Sequence, residues 1–322
     1  GESLGGALAG FARVARMKIL LTGASGLVGS AFARAAHRRG HHVTGVVGGF
    51  AGGIEGLAKT ISADLGSEAA TSATVLEEFP EAIVNCAAVS TPEACEADPA
   101  LAQALNVALP HTLARLAHHL SARLVHLSSE QVFDGTRSTA YAPGNTPAPI
   151  NLYGRQKLES ERAVHAAAGA FAVTLRAPLL MGNSAAGKRS THERLFLDWA
   201  AGRTPRLFTD EFRQPCTAEN LAEVMVELCE RPALRGVFHW AGVELVDRHT
   251  LGVRHVDDAD PAHLDSARDR RRRLREHAVA FSHQHGIVVG HQLCSTVDQP
   301  QREIGLAAPR SPFDQHRTSV DR

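Results

Sequence analysis

The chain has 322 residues, and its 34 lysines and arginines balance 34 aspartates and glutamates, so its formal net charge is zero. This neutrality argues against a dedicated nucleic-acid binder, because such proteins gain affinity from clustered cations that neutralise phosphates. No apolar run approaches the ~20 residues that cross a bilayer, which argues against membrane insertion. A chain of this length can bury a large core and form either one large domain or two closely packed ones.

The first predicted element is a strand at residues 17–22, a short apolar run that leads into a glycine-rich turn. An alanine-rich stretch follows and predicts a helix. Gly23, Gly26 and Gly29 suit a turn in which the backbone goes left-handed, approaches a pyrophosphate and packs helix against strand. The helix would offer free N–H groups and the positive end of its dipole to phosphates. The alternative is a purely structural turn.

Five further short runs predict strands, with helical periodicity between them. These strands are His42–Val47, Thr60–Leu65, Ala82–Asn85, Arg123–Leu127 and Ala172–Arg176. The stretch 99–120 has leucines at helical spacing and predicts one long amphipathic helix, which Pro110 should kink or break. Strands that alternate with helices predict an α/β fold with a doubly wound parallel sheet, whose ligands sit beyond the carboxyl ends of the strands.

Candidate catalytic residues follow the fifth of these six strands. Ser128 and Ser129 come directly after it, at the edge where a ligand would lie, although strand-end hydroxyls can also cap a turn. Tyr153 and Lys157 are spaced i,i+4 on a predicted helix, in a chain with only two tyrosines and four lysines. A phenol that gives its proton to an alkoxide, with a lysine one turn away, is chemistry suited to carbonyl reduction.

Together these motifs resemble the extended short-chain dehydrogenase/reductase family, and within it the dTDP-4-dehydrorhamnose reductase-like branch, from Met17 to about Gly252. The matching segments are Thr22–Gly29 with its three glycines, Asn85–Ala88, Asn106, Ser128–Gly135, Asn151–Lys157, Asp210–Pro215 and Gly236–Gly242. The resemblance implies a Rossmann-type domain over 17–177 and a smaller C-terminal substrate lobe over 178–253, interleaved with it. It also implies a nicotinamide dinucleotide, a nucleotide-sugar substrate and a homodimer formed through the helices that carry Asn106 and Tyr153.

The same resemblance assigns roles to individual residues. Tyr153 is the proton donor, Lys157 tunes it and binds the cofactor ribose, and Ser129 polarises the substrate carbonyl, with Ser128 as the fallback. The residues expected to bind the cofactor are Gly23, Ser25, Gly26, Leu27, Val28, Gly29, Asp64, Leu65, Cys86, Ala87, Ala88, Asn106, Tyr153 and Lys157.

Cofactor choice depends on the end of the second strand, where Gly48 and Gly49 stand in place of the acid that would bind the ribose 2′-hydroxyl of NAD. The missing acid favours NADP over NAD, although no arginine is nearby. Asp64 is expected near the adenine, with a helix cap as its alternative role.

Two positions depart from the reductase pattern, because Glu130 and Gln131 stand where those enzymes often carry Asp and Tyr. The segment around Tyr153 also resembles the regulatory β subunit of methionine adenosyltransferase, which serves as a binding partner. We therefore expect an NAD(P)H-dependent reductase of a 4-keto nucleotide sugar. The alternatives are a non-catalytic dinucleotide-binding regulatory subunit and, third, a nucleotide-sugar epimerase or dehydratase.

The two ends of the chain differ from this pattern. Residues 1–16 are expected to be an N-terminal extension. Residues 254–322 hold 7 of the 18 histidines and 11 of the 30 arginines without any lysine. This composition predicts an atypical tail that is poorly packed or disordered. Neither the histidines nor the five cysteines have convincing metal-ligand spacing, so no metal site is expected. An odd number of cysteines without C-x-x-C spacing favours a reduced, cytoplasmic compartment.

Overall fold

A computed structural model describes residues 15–137 and 139–257, and side chains up to residue 252. Residues 1–14 of the predicted extension and residues 258–322 of the predicted tail lie outside the described residues.

The helices and strands alternate through most of the chain. In order they are β1 (Lys18–Thr22), α1 (Leu27–Arg38), β2 (His42–Val47), β3 (Lys59–Ser62), α2 (Glu68–Glu78), β4 (Ala82–Asn85), α3 (Pro92–Ala97), α4 (Pro99–Gln103), a π-helical stretch (Ala104–Ala108), α5 (Leu109–Leu120), β5 (Arg123–Ser129), a 3₁₀ turn (Glu130–Val132), α6 (Leu152–Ala168), β6 (Ala172–Ala177), β7 (Leu180–Met181), α7 (Thr191–Ala200), β8 (Phe212–Arg213), β9 (Cys216–Thr217), α8 (Ala218–Glu230), β10 (Gly236–His239), β11 (Val246–Asp247) and α9 (Arg248–Asp257).

Seven strands form one parallel sheet in the order β10-β6-β5-β4-β1-β2-β3. The strands are short apolar runs because helices cover both faces of the sheet. Helices α1 and α8 pack on one face around Phe32 and Leu221, while α5 and α6 pack on the other around Leu113 and Val164. The predicted α/β Rossmann-type fold is confirmed, and the strand order reverses between β1 and β4, where such sheets bind ligands.

The remaining strands lie after β6 and form two small sheets. β7 pairs with β9, and β8 pairs antiparallel with β11. Met181, Val246 and Leu251 form a separate small core there. The segment 178–253 is therefore divided, since α8 and β10 join the main sheet and its helical layer while the small strands, α7 and α9 lie outside the main sheet.

Several elements differ from the sequence prediction, and three of the differences bear on the site. β3 ends at Ser62, so Asp64 follows the strand, whereas β5 runs two residues further than predicted and includes Ser128 and Ser129. The helix predicted over 99–120 is interrupted by the π-helical stretch. Pro110 gives the physical reason, because it has no N–H to donate to the carbonyl of Asn106, four residues earlier.

Among the described residues, none of the helices combines the length and the apolar character needed to cross a bilayer.

Candidate active site

A cleft of about 840 Å³ opens at the carboxyl edge of the sheet, beside the point where the strand order reverses. Its walls come from the glycine-rich turn after β1, the ends of β2, β4 and β5, the start of α6, and residues of α7, β8 and α9. The parallel sheet brings these segments together because the carboxyl ends of all its strands meet at one edge.

The glycine-rich turn forms the floor of one end of this cleft. Gly23 has a φ of +68°, and a Cβ there would lie 2.7 Å from the backbone nitrogen of Ala87. A Cβ on Gly29 would lie 2.2 Å from the carbonyl oxygen of Gly23, so α1 can pack this closely on the turn only because residue 29 has no side chain. Gly26 is the N-cap of α1, and no side chain accepts from the first turn of that helix. Its N–H groups and dipole suit a diphosphate.

The far end of the cleft suits an adenosine group. Gly48, Gly49, Ser62, Asp64 and Leu65 line it, as the sequence predicts for Asp64 and Leu65. Asp64 also accepts a hydrogen bond from the backbone nitrogen of Gly66 at 2.9 Å, so it shapes the turn after β3 while facing the cleft. Positions 48 and 49 are glycines, so neither a carboxylate nor a positively charged side chain is present at these two positions.

Ser129 and Tyr153 meet at the centre of the cleft. Asn151 caps α6 by accepting from the backbone nitrogen of Gly154 at 2.7 Å, which fixes the start of the helix that carries Tyr153. A Cβ on Gly154 would lie 2.1 Å from the carbonyl oxygen of Gln131, so this glycine permits α6 to approach the turn after Ser129. Burial raises the pKa of Tyr153 to about 12, and a hydrogen bond from Ser129 opposes the rise. At neutral pH, Tyr153 therefore holds its proton.

Lys157 lines the same part of the cleft, one turn along α6. Its ammonium group donates to the backbone carbonyl of Leu127 at 2.5 Å. Burial lowers the pKa of Lys157 to about 8, with partial opposition from the charge of Glu161. The amine is thus a buried cation at neutral pH and loses its charge in mildly alkaline solution.

Ser128 also reaches the cleft, but its hydroxyl donates to Glu161 Oε1 at 2.5 Å. Glu161 in turn forms a buried ion pair with Arg176 on β6. The hydroxyl of Ser128 is therefore engaged in the scaffold below the cleft, which favours Ser129 over the predicted fallback as the group that faces a ligand.

Asn106 lies behind the cleft wall. It is fully buried, and its side chain accepts from the backbone nitrogen of Val89 at 2.9 Å and donates to Gln156 Oε1 at 3.0 Å. All the other residues predicted to bind the cofactor line the cleft. Asn106 instead joins the loop after β4 to α6, beside Lys157.

Cys86 lines the cleft with a thiol whose pKa burial raises to about 12. It is therefore a protonated thiol at neutral pH and a poor nucleophile. Within the part of the chain that the structure describes, no three His, Cys, Asp or Glu side chains cluster as metal ligands would.

Sequence reasoning missed a charged wall of the cleft, formed by Glu130 and by arginines that follow β6 in the chain. Arg213 donates from Nη1 to Glu130 Oε1 at 2.6 Å, and Arg189, Arg194 and Arg248 also line the cleft. Burial raises the pKa of Glu130 to about 7, against the opposing charge of Arg213. Both members of the pair belong to matched motifs, but their contact spans 83 residues and has no local signal.

The comparisons agree with this architecture. The family model described as "RmlD substrate binding domain" matches residues 17–273. The chain is similar to "Methionine adenosyltransferase 2 subunit beta" of Xenopus laevis, with 33% identity over 74% of this chain and 71% of that protein. It is also similar to the "Probable low-salt glycan biosynthesis reductase Agl14" of Haloferax volcanii, with 32% identity over 73% of this chain and 78% of that one.

A solved structure shares the fold. It is the dTDP-4-dehydrorhamnose reductase of Bacillus anthracis in complex with NADP, with a TM-score of 0.65, 20% identity, and coverage of 76% of this chain and 80% of that chain.

Proposed function

This chain belongs to the RmlD substrate binding domain family, and from that membership we propose that it is an NAD(P)H-dependent reductase of a 4-keto nucleotide sugar. The observation that carries the proposal is the meeting of Ser129, Tyr153 and Lys157 in one cleft with a glycine-rich turn. The lining of the cleft runs from the glycine-rich turn, where the dinucleotide would bind, to the charged wall, where the substrate would bind.

The residues of the cleft suit a nicotinamide dinucleotide. The uncapped start of α1 would hold its diphosphate, and the open space beside Gly48 and Gly49 would take the adenosine ribose, since a Cβ at either glycine meets nothing within 4 Å. At positions 48 and 49, glycines stand in place of the carboxylate that would repel a 2′-phosphate, which favours NADPH over NADH. When bound, the reduced dinucleotide supplies the hydride.

The protein side chains would complete the reduction in three ways. Ser129 would donate a hydrogen bond to the carbonyl oxygen as negative charge develops on it. Tyr153 would give its proton to that oxygen, and its raised pKa keeps the proton in place until then. Lys157, positively charged below its pKa of about 8, would bind the cofactor ribose and stabilise the tyrosinate that remains.

A second candidate is a regulatory subunit that binds a dinucleotide without turnover. The similarity to the methionine adenosyltransferase β subunit, at 33% identity, favours it. The same cleft would then hold a ligand that stabilises the fold, and the partner would be a methionine adenosyltransferase. For either function, a homodimer through α5 and α6 and a cytoplasmic compartment stay predictions.

The test is to mix purified protein with NADPH or NADH and a dTDP-4-keto-6-deoxy sugar and to follow the absorbance of reduced nicotinamide. We expect consumption of NADPH, and a fall of roughly 100-fold or more in Tyr153→Phe, since that variant lacks the proton donor. The second tyrosine provides the control, because Tyr141→Phe removes a hydroxyl that donates to Asp134 away from the cleft.

The outcomes separate the candidates. A dinucleotide that binds but is never consumed would favour the regulatory subunit, and a pull-down with a methionine adenosyltransferase would then follow. Conversion of the sugar without net loss of NADPH would indicate an epimerase or dehydratase.

A further inference from the structure

A row of polar side chains crosses the interior of the main sheet. Thr22 of β1 is paired with Asn85 of β4, and Asn85 is paired with His126 of β5. All three residues are buried, and at most 1% of each is exposed. Residues paired between neighbouring parallel strands point to the same face of the sheet, so these three side chains lie side by side.

The row is one continuous chain of hydrogen bonds that continues into α6. Thr22 donates from its hydroxyl to the side-chain oxygen of Asn85 at 2.7 Å, and the amide nitrogen of Asn85 lies 3.2 Å from Nδ1 of His126. Nε2 of His126 lies 3.0 Å from the hydroxyl of the fully buried Ser160, and that hydroxyl donates to the backbone carbonyl of Lys157 at 2.7 Å. We call the side chains of Thr22, Asn85, His126 and Ser160 the polar network.

The last bond of the polar network fixes the direction of the others. The hydroxyl of Ser160 gives its only hydrogen to Lys157, so it accepts from Nε2 of His126. A neutral imidazole that donates from Nε2 accepts at Nδ1, and the amide nitrogen of Asn85 is the donor there. Burial, together with the charge of Lys157, holds the pKa of His126 well below its ordinary value, in agreement with a neutral ring. Each polar side chain of the network is thus hydrogen-bonded, and a satisfied buried network favours one rigid arrangement.

Both ends of the polar network meet residues that line the cleft, although its own four side chains do not. At one end, the hydroxyl of Thr22 accepts from the backbone nitrogen of Ala87 at 3.4 Å. That nitrogen lies against the glycine-rich turn, since a Cβ on Gly23 would lie 2.7 Å from it. At the other end is Lys157, whose ammonium group also donates to the carbonyl of Leu127. The network therefore connects the turn at one end of the cleft to the lysine at its centre.

The next residue of the row shows that a place in the sheet does not by itself provide such bonds. Thr174 of β6 is paired with His126 and is fully buried, yet its hydroxyl has no hydrogen-bond partner among the described residues. The polar network thus leaves the sheet at His126 and ends on the helix that carries Tyr153 and Lys157.

We propose that the polar network positions Lys157 relative to the glycine-rich turn, at the separation that one dinucleotide spans. This inference rests on the proposed dinucleotide cofactor, which the candidate functions share. The diphosphate would lie on the turn, and the ribose next to the nicotinamide would lie at Lys157, because the hydride is needed beside Tyr153. A ligand held at two points gains the full affinity only when the protein presents both points at the distance that the ligand spans.

The test compares NADP⁺ with adenosine 2′,5′-bisphosphate, which has the adenosine half of the cofactor but lacks the part that would reach Lys157. Calorimetry would measure both affinities for the unaltered protein and for Ser160→Ala, which removes the last bond of the polar network. We expect the Kd of NADP⁺ to rise by about 10-fold, the size of effect that one buried hydrogen bond produces. The Kd of the bisphosphate should change by less than about 2-fold, because this ligand is held at one end only.

Thr174→Val is the matched control, because it removes a buried hydroxyl of the same row that is not part of the polar network. It should leave both affinities unchanged. An unaltered NADP⁺ affinity in Ser160→Ala would overturn the inference, and so would equal losses for the two ligands, since these would indicate a general effect on the fold.

Failure of the cofactor proposal looks different, because the unaltered protein would then bind no dinucleotide at all. If the protein prefers NAD⁺, the pair NAD⁺ and AMP gives the same comparison. If Ser160→Ala does not fold, His126→Asn decides, since its shorter side chain can accept from Asn85 but does not reach Ser160. The same selective loss of affinity for the dinucleotide is expected in that variant, and equal affinities would again overturn the inference.

Discussion

Two buried glutamate–arginine pairs lie next to the last residues of β5, and they differ in how completely their carboxylates are hydrogen-bonded. Glu161 and Arg176 join α6 to β6, and every oxygen of the carboxylate is hydrogen-bonded within the protein. Glu130 and Arg213 join the end of β5 to the small strands, and the second carboxylate oxygen of Glu130 has no hydrogen-bond partner among the described residues. We call Glu161–Arg176 the complete pair and Glu130–Arg213 the incomplete pair. The comparison teaches that the complete pair belongs to the scaffold, whereas the incomplete pair keeps a carboxyl whose pKa burial raises to about 7.

The complete pair explains how the catalytic helix is fixed. Besides Arg176 and Ser128, the neighbouring Ser160 accepts from His126 of β5 at 3.0 Å and donates to the carbonyl of Lys157 at 2.7 Å. Burial holds the pKa of His126 well below its ordinary value, so the imidazole is neutral. The helix that carries Tyr153 and Lys157 is therefore held against the sheet by polar contacts that contain no solvent-exposed group.

The largest effect is expected from breaking the complete pair. Arg176→Met leaves the carboxylate of Glu161 buried without a counter-charge, and the free energy of unfolding should fall by about 3–5 kcal/mol. Chemical denaturation followed by circular dichroism measures it, with the exposed pair Arg115 and Glu68 as the control, where Arg115→Met should cost below ~1 kcal/mol. A loss of that smaller size in Arg176→Met would show that the pair is not part of the scaffold.

The second effect is a pH dependence that belongs to the incomplete pair. The pKa of Glu130 is about 7 in the folded protein against 4.5 ordinarily, so between these values the folded state binds more protons than the unfolded one. The contribution of Glu130 to stability is therefore present at low pH and is lost as pH rises from 4.5 to 7, by roughly 3 kcal/mol at most. Arg213, Glu211 and Arg248 are the charged groups that act on this carboxyl.

Denaturation of the unaltered protein and of Glu130→Gln from about pH 4.5 to about pH 9 measures this contribution. The stability difference between the two should change over the lower part of the range and become constant above pH 8. A difference that is constant throughout would contradict the assigned pKa and weaken the distinction between the two pairs.

The smallest effect is expected from Arg213→Met. At neutral pH Glu130 can take up a proton when it loses this partner, because its pKa already lies near 7, so we expect a cost of about 1–2 kcal/mol. The measurement is the same denaturation series, and a loss as large as that of Arg176→Met would remove the contrast between the pairs.

Much of the site could be predicted because its signals are local. The run from β1 through Gly29, and the spacing of Tyr153 and Lys157 on one helix, follow from periodicity and glycine positions that a single sequence displays. The parallel sheet then brings these segments together at one edge. For the same reason the fold class was predictable from strands that alternate with helices.

The rest depends on contacts between distant residues. The sequence does not show that Ser128 bonds to Glu161, 33 residues later, or that Glu130 pairs with Arg213, 83 residues later. Asn106 was expected at the cofactor, but its side chain turns to Val89 and Gln156 within a π-helical stretch that leucine spacing does not reveal. Packing likewise decides which of the two adjacent serines bonds to Tyr153, since Ser128 donates to Glu161 whereas Ser129 bonds to Tyr153 and also accepts from the backbone nitrogen of Gln131 at 3.2 Å.

The measurement that tests the account most directly uses NADPH labelled with deuterium at the transferable position of nicotinamide C4. After incubation with the protein and a dTDP-4-keto-6-deoxy sugar, mass spectrometry of the sugar product reports whether the label has moved. The account predicts one deuterium at the former carbonyl carbon, and a loss of this product in Tyr153→Phe. An unlabelled sugar together with intact, bound NADPH would contradict it.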